Sequence, residues 1–240
     1  MSDSPLRILA LGAHADDLEL QCAGTLARWA EQGHHLIMAT ATWCKFGSYE
    51  LSLDECSRLR HAEAAQSAAL IGAEYRALMI PDDAVNPFDP AQQRQVTDLI
   101  RQVYPDVIIT HTPSDYHTDH CNLSELVKWS GPVLGLPQYK TGAPALDYNP
   151  ALYFMDTLNG RAFEPTAYVD ISATLATKQA MMTCFQSQIG FLKQYFNLDV
   201  LEQIETVARY RGLQAGVRYA EAFQRYGGAG WGNLTRHYLP

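Results

Sequence analysis

The sequence predicts an α/β fold, a Rossmann-like, mostly parallel sheet with helices on both faces, and three observations carry that expectation. Short apolar runs bounded by turn residues recur along the first half of the chain. Each is followed by a segment with helical periodicity, long enough to cross over to a parallel neighbour. The first runs are continuously apolar rather than alternating, as strands buried on both faces are.

The elements follow in order. "RILALGA" (7–13) is a Gly-ended strand. Leu18, Cys22, Leu26 and Trp29 then share one helical face, and Gly33 provides the stop. "HLIMATAT" (35–42) is the second strand, and the Ala- and Leu-rich segment from Ser52 to about Gly72 the second helix. "YRALMI" (75–80) is a third strand, and a helix of about 14 residues starts at Pro90, a residue suited to a first turn. "DVIITHT" (106–112) is the fourth strand, with a helix around Leu123 to Trp129. The Pro- and Gly-rich stretch 130–150 reads as a long loop, expected to act as a lid or binding wall. Strand character returns in "ALYFMDT" and "AYVDI", and helical patterns fill 172–196 and 200–225. No linker or repeat divides the chain, so a single domain over 1–240 is expected.

Composition limits the function classes. Hydrophobic residues make up 47% of the 240 residues and charged residues 18%, which suits a soluble globular protein. A net charge of −8 gives no basic footprint for nucleic acid. Cys22, Cys44, Cys56, Cys121 and Cys184 are scattered, without a CxxC pair, which argues against a disulfide framework or thiolate zinc site. A reducing cytoplasm is expected. No apolar run approaches the roughly 18 residues of a membrane span, and the N-terminus lacks a signal-like pattern.

Two polar clusters stand at strand ends. The first, "GAHADDLE" (12–19), places His14, Asp16, Asp17 and Glu19 after the first strand. A helix cap formed by Asp16 with Glu19 three residues on explains only those two. The second, "HTPSDYHTDH" (111–120), puts Asp115, His117, Asp119 and His120 after the fourth strand. Alone, it reads equally as a polar loop. Together, both lie at carboxyl ends of parallel strands, where open α/β sheets bind ligands. His and carboxylate ligands without thiolate suit a catalytic zinc ion, which lowers the pKa of water to about 7. The Asp doublet then divides the work: one carboxylate for the metal, its neighbour for a proton.

At these residues the chain resembles the LmbE-like or PIG-L deacetylases, zinc enzymes that remove N-acetyl groups from glucosamine conjugates. The family motif AHPDDxE reads here "AHADDLE", and HPDH reads "HTDH". The likeness extends through "AGTLARWAEQGH", "RHAEAAQSAALIG", "IPDD" and "GLQAGVRYAEAF". It implies that His14, Asp17 and His120 hold Zn²⁺ and that Asp16 is the general base. It further implies that His117 stabilises the oxyanion or protonates the leaving amine, and that Asp119 orients the His117 imidazole. Arg60 and Asp82 fall where the family contacts the sugar or its aglycone. Ala15 and Thr118 replace the motif prolines, which relaxes the backbone of both loops.

Beside these, Arg60 and Glu63 also read as an ordinary helix-surface pair, and Asp82 as part of a Pro-initiated turn. His111 reads as a core histidine or one supporting the ligands rather than a fourth ligand. Cys121 reads as a small buried hydrophobe. Lys45 and Ser48 are placed in the same crevice, and Arg209, Arg211 and Tyr219 toward its mouth. The resulting expectation is a zinc-dependent hydrolase removing an N-acetyl group from a GlcNAc-type sugar or conjugate, as a homo-oligomer. A related amidase for a larger acyl group or thiol conjugate, and a catalytically silent metal- or sugar-binding protein, are the alternatives. A dinucleotide-dependent oxidoreductase is disfavoured, because "GAHADD" puts two acids where pyrophosphate would lie.

Overall fold

A computed structural model of the chain describes residues 4–232 and 234–240. Seven strands form one sheet in the order β3-β2-β1-β4-β5-β7-β6. β1 (Arg7–Gly12) is parallel to β2 (His35–Thr42) on one side and to β4 (Val107–Thr110) on the other. β3 (Glu74–Ile80) joins β2, and β5 (Ala151–Met155) joins β4, also in parallel. β7 (Ala220–Arg225) is antiparallel to both β5 and the edge strand β6 (Ala167–Asp170).

The continuous apolar runs are buried on both faces, as expected. Ile8, Ala10, Met38, Val107 and Ile109 belong to one core with Leu26, Trp29 and Met182. Leu9, Leu11, Ile37 and Ile108 belong to the other, against Val96, Ile100, Leu123 and Val127. Each large aliphatic side chain so enclosed contributes roughly 1.5–3 kcal/mol relative to exposure. Helix α3 (Leu53–Leu70) starts in a full capping box formed by Ser52 and Glu55, and α4 (Pro90–Val103) starts at its proline.

Five local readings are corrected. The first helix is two, α1 (Asp17–Gln21) and α2 (Ala23–Glu31), broken at Cys22. The break frees the N–H groups of Gly24 and Thr25, which donate to the two oxygens of buried Glu221 at 2.9 and 2.7 Å. Lys178 completes that enclosure at 2.6 Å from Glu221. Helix α5 (Thr118–Leu134) runs through Pro132 into the segment read as loop. Its end is held by Arg101, whose guanidinium donates to the carbonyls of Val133, Leu134, Leu136 and Tyr139.

The rest of that Pro- and Gly-rich stretch is no lid. Ala143 donates to Asp98, and the Tyr148 hydroxyl to the carbonyl of Pro105, which fastens the loop at the amino ends of the strands. The helical pattern 172–196 is α6 (Leu175–Thr183) and α7 (Gln186–Phe196). Finally, α8 (Val200–Ala215) stops at Gly216, whose φ of 73° favours glycine, and 220–225 is strand β7 rather than helix.

Candidate active site

The chain runs β1-β2-β3 outward in one direction and returns to place β4 on the other flank of β1. The loops leaving β1 and β4 therefore face each other at the topological switch point, where open α/β sheets form their crevice. Both polar clusters lie there. Gly12, the last residue of β1, makes room for the turn: a Cβ at this position would stand 3.1 Å from Asp17 Cβ.

The His14 N–H donates to Asp17 Oδ2 at 2.6 Å, and His111 Nε2 lies 3.0 Å from the same oxygen. Asp17 Oδ1 lies 3.3 Å from His120 Nε2. His14 Nδ1 is 3.3 Å from His120 Nε2 and 3.6 Å from Asp17 Oδ2. The residues expected to hold a metal thus lie within 3.6 Å of one another pairwise, and the donor sets close enough to hold one ion include His14, His117 and His120, and Asp17, His111 and His120. The far side of each imidazole faces a carboxylate: His14 Nε2 is 3.3 Å from Asp119 Oδ2, and His120 Nδ1 is 3.2 Å from Asp115 Oδ1. Asp119 draws the His14 ring proton outward through a hydrogen bond, and Asp115 stands at ion-pair distance behind His120, so the inner ring nitrogens face one another.

A convergence of lone pairs and a carboxylate demands a cation. The same demand appears in the acid–base balance. Burial pulls His14 down, but hydrogen bonds to Asp119 and Asp17 raise it to about 9. Burial is likewise outweighed at His120, where Asp17 and Asp115 raise the imidazole to about 10. Asp17 resists burial because His120 and His111 hold it well below the carboxylate range. The donor set fits a divalent metal ion of the type bound by imidazole and carboxylate.

Asp16 serves no cap: its side chain makes no capping hydrogen bond, and Glu19 turns away to accept from the Ser67 hydroxyl at 2.6 Å. Its backbone sits at φ 128°, a conformation costing on the order of 1–3 kcal/mol. Arg60 secures the strained residue, donating to the Ala15 carbonyl at 2.8 Å and lying 3.3 Å from Asp16 Oδ1. Burial raises Asp16 to about 6, with Arg60 opposing.

One expected partner changes, and the geometry of two other residues bears on their expected roles. The Asp119 carboxylate does not hydrogen-bond the His117 imidazole; it faces His14 and accepts from the N–H groups of Asp83 and Val85. His117 is instead the N-cap of α5, its Nδ1 accepting the Asp119 N–H at 3.1 Å. That bond leaves the ring proton on Nε2. Burial and the neighbouring His14 and His120 lower its pKa and keep the ring a neutral donor. Asp82 lines the cavity, but both its oxygens accept backbone N–H groups, of Cys44 and Lys45, so it shapes the loop after β2. Arg60 and Glu63 are buried rather than a surface pair, and Glu63 accepts from Ser187 at the start of α7.

Lys45 pairs with Asp54, while the neighbouring Phe46 and Gly47 reach the cavity. Cys121 contacts the backbone of Asp115. Arg211 is bound to Asp156 and the Gly160 carbonyl, so it braces the loop that carries Leu158 to the cavity. Sequence reasoning missed the placement of Asp115 behind His120. It also missed the cavity wall from α7; the aromatic run within 186–196 was the available signal.

Fold and site define a Rossmann-like α/β protein with a cation-demanding histidine–carboxylate cluster at the sheet's carboxyl edge. A family model described as PIG-L, GlcNAc-PI de-N-acetylase, matches residues 9–129, and the chain belongs to that family. It is 28% identical over 158 residues to a 1D-myo-inositol 2-acetamido-2-deoxy-alpha-D-glucopyranoside deacetylase of Kineococcus radiotolerans, covering 51% of this chain. The match spans 44% of that relative's length. Among solved structures, the N,N'-diacetylchitobiose deacetylase of Pyrococcus horikoshii superposes with a TM-score of 0.80 at 22% identity, over 91% of this chain and 83% of its own. The 4-carboxy-2-hydroxymuconate hydratase of Pseudomonas putida gives 0.79 at 23% identity, over 95% and 98%. These two likenesses establish the fold. No helix among the described residues is long and apolar enough to cross a membrane.

Proposed function

We propose that the chain is a zinc-dependent N-deacetylase acting on a GlcNAc-type sugar or sugar conjugate, with His14, Asp17 and His120 as the metal ligands. The observation that carries this reading is the convergence of those three donors beside the strained base Asp16, held by Arg60, in a member of the GlcNAc-PI de-N-acetylase family. The deacetylase name of the Kineococcus relative supports the substrate class.

When bound, the ion supplies Lewis acidity, making water acidic and polarising the acyl carbonyl. Asp16 accepts the proton of the attacking water, and Arg60 holds its carboxylate in the ionised form and in place. His117 presents its Nε2–H to the carbonyl oxygen as negative charge builds there. The proton taken by Asp16 passes to the departing nitrogen, and the second proton of the water leaves the new carboxyl group for the amine, so acetate and the protonated amine are released. Asp119 and Asp115 position His14 and His120 from behind. Within this reading the chain acts as one domain over 1–240. Its placement in the cytoplasm accords with five free cysteines, and homo-oligomeric assembly follows the family resemblance.

The test is metal analysis of the purified protein together with turnover on a panel of N-acetylglucosamine conjugates. Asp16→Ala should retain the metal and lose 10²–10⁴-fold in kcat. Wild-type turnover in that variant overturns the assignment of the base.

A further inference from the structure

The catalytic cluster opens into a cavity of about 280 Å³ whose outer part is apolar. Phe46 enters from the loop after β2, Phe191, Leu192 and Phe196 from α7, and Leu198 from the turn beyond it. Tyr49 and Tyr195 extend the wall, with ring centroids 5.6 and 5.5 Å from Phe191. Phe46 and Phe196 are 54% and 61% exposed, so apolar surface stands open immediately outside the reacting centre.

This wall is fastened to the site by polar bonds. The Ser187 N–H donates to Glu63 at 2.9 Å, which fixes the start of α7 to α3. The Gln188 side chain donates to the Gly47 carbonyl, tying α7 to the loop that bears Phe46. Gln188 and Gln203, amides within the lining, thus spend donors on the protein: the latter's Nε2 faces the Leu158 carbonyl and Asn159 Oδ1. Gln203 Oε1 is left as an unpartnered acceptor, so a hydroxyl-rich group would find few partners on this side, whereas an apolar group would gain roughly 25 cal/mol for each Å² buried.

We propose that Phe46, Phe191, Leu192, Phe196 and Leu198 form a subsite for an aryl or alkyl group carried by the substrate on one side of the scissile amide. The inference rests on the deacetylase reading and deepens it. The occupant is part of the substrate because wall and catalytic cluster line the same cavity. Such a group could be the aglycone of the amino sugar or its N-acyl chain, and the chemistry recognised is the same.

Two substrate series separate these sources. One holds the N-acetyl group constant and compares methyl, phenyl and octyl glycosides of N-acetylglucosamine. The other compares N-acetyl, N-benzoyl and N-octanoyl glucosamine. In one series the apolar member should exceed the small member at least about tenfold in kcat/KM, and Phe191→Ala with Phe196→Ala should reduce that ratio to within about twofold. Ratios within about twofold in both series for the wild-type protein, which needs no variant, overturn the subsite; so does a ratio the double variant leaves intact. If no member of either series is hydrolysed, the deacetylase reading has failed, and calorimetry still decides the subsite. Octyl N-acetylglucosaminide should then bind at least about tenfold tighter than the methyl glycoside, or N-octanoyl glucosamine than N-acetylglucosamine, and equal Kd values in both pairs overturn it.

Discussion

The Cys44 sulfur accepts the backbone N–H of Ala15 at 3.2 Å, in the middle of the motif that carries the candidate base and ligands. Ala15 stands where the family motif has proline, so it brings a buried N–H that proline lacks. Cys44, at φ 56° and anchored through its own N–H to Asp82, supplies the partner. Cys44→Ala should therefore orphan a buried donor and cost about 1–3 kcal/mol, whereas Cys44→Ser keeps an acceptor. In an Ala15→Pro background the donor is gone, and the penalty of Cys44→Ala should shrink by most of that amount. Denaturation of the four proteins of this double-mutant cycle measures the coupling. Additive effects would mean that the thiol merely fills space.

In the proposed reaction, Arg60 and Asp16 should set the acid limb of the activity profile. The candidate base works as a carboxylate, with burial raising it to about 6 and Arg60 opposing. Activity should fall as pH drops through that value. Replacing Arg60 by Gln removes the opposing positive charge, so Asp16 should keep its proton to higher pH. The acid limb of kcat/KM should move alkaline by about one unit or more. A limb that stays in place would show that another group governs it.

Asp119 acts on His14 in this geometry, and its replacement should be felt in metal retention. Asp119→Asn removes the negative charge 3.3 Å from His14 Nε2 and keeps an oxygen for one of the two N–H groups, of Asp83 and Val85, that bond Oδ2 and Oδ1. Loss of such a partner behind a ligating histidine lowers metal affinity about 10–100-fold. Competition with a chromophoric chelator reads this directly. Wild-type affinity combined with lost turnover would return Asp119 to a role beside His117.

Local signals carried the first half of the fold. The apolar runs located β1 and β2, and Pro90 marked the first turn of α4. What escaped were features made by distant partners. The break at Cys22 is imposed by Glu221, 197 positions from Gly24, and helical periodicity continues straight across it. The end of α8 carried only Gly216 as a signal, because small and apolar residues in 220–225 suit a helix face as well as a buried strand. The site divides in the same way. The resemblance to the deacetylase motifs drew His14, Asp17 and His120 together, but whether Asp119 faces His117 or His14 depends on how α5 meets the loop after β3. No spacing within "HTDH" encodes that.

Glu19 offers a test of the electrostatics around the site that is independent of turnover. It is buried beside the doublet and, despite the Ser67 hydrogen bond, burial raises it from about 4.5 to about 8. The folded state therefore keeps a proton that the unfolded chain releases above about 4.5. Stability should fall as pH rises from there through about 8, by at most about 1.4 kcal/mol per unit, and then level off. Gln carries no such proton. Glu19→Gln should accept from Ser67 as before, flatten this part of the profile, and surpass the wild type on the alkaline side. Urea denaturation between pH 5 and 9, on chelator-treated protein so that no cation favours the carboxylate, makes the comparison. Parallel profiles would mean that Glu19 is already ionised in its buried setting and that the enclosed charge is neutralised by its neighbours.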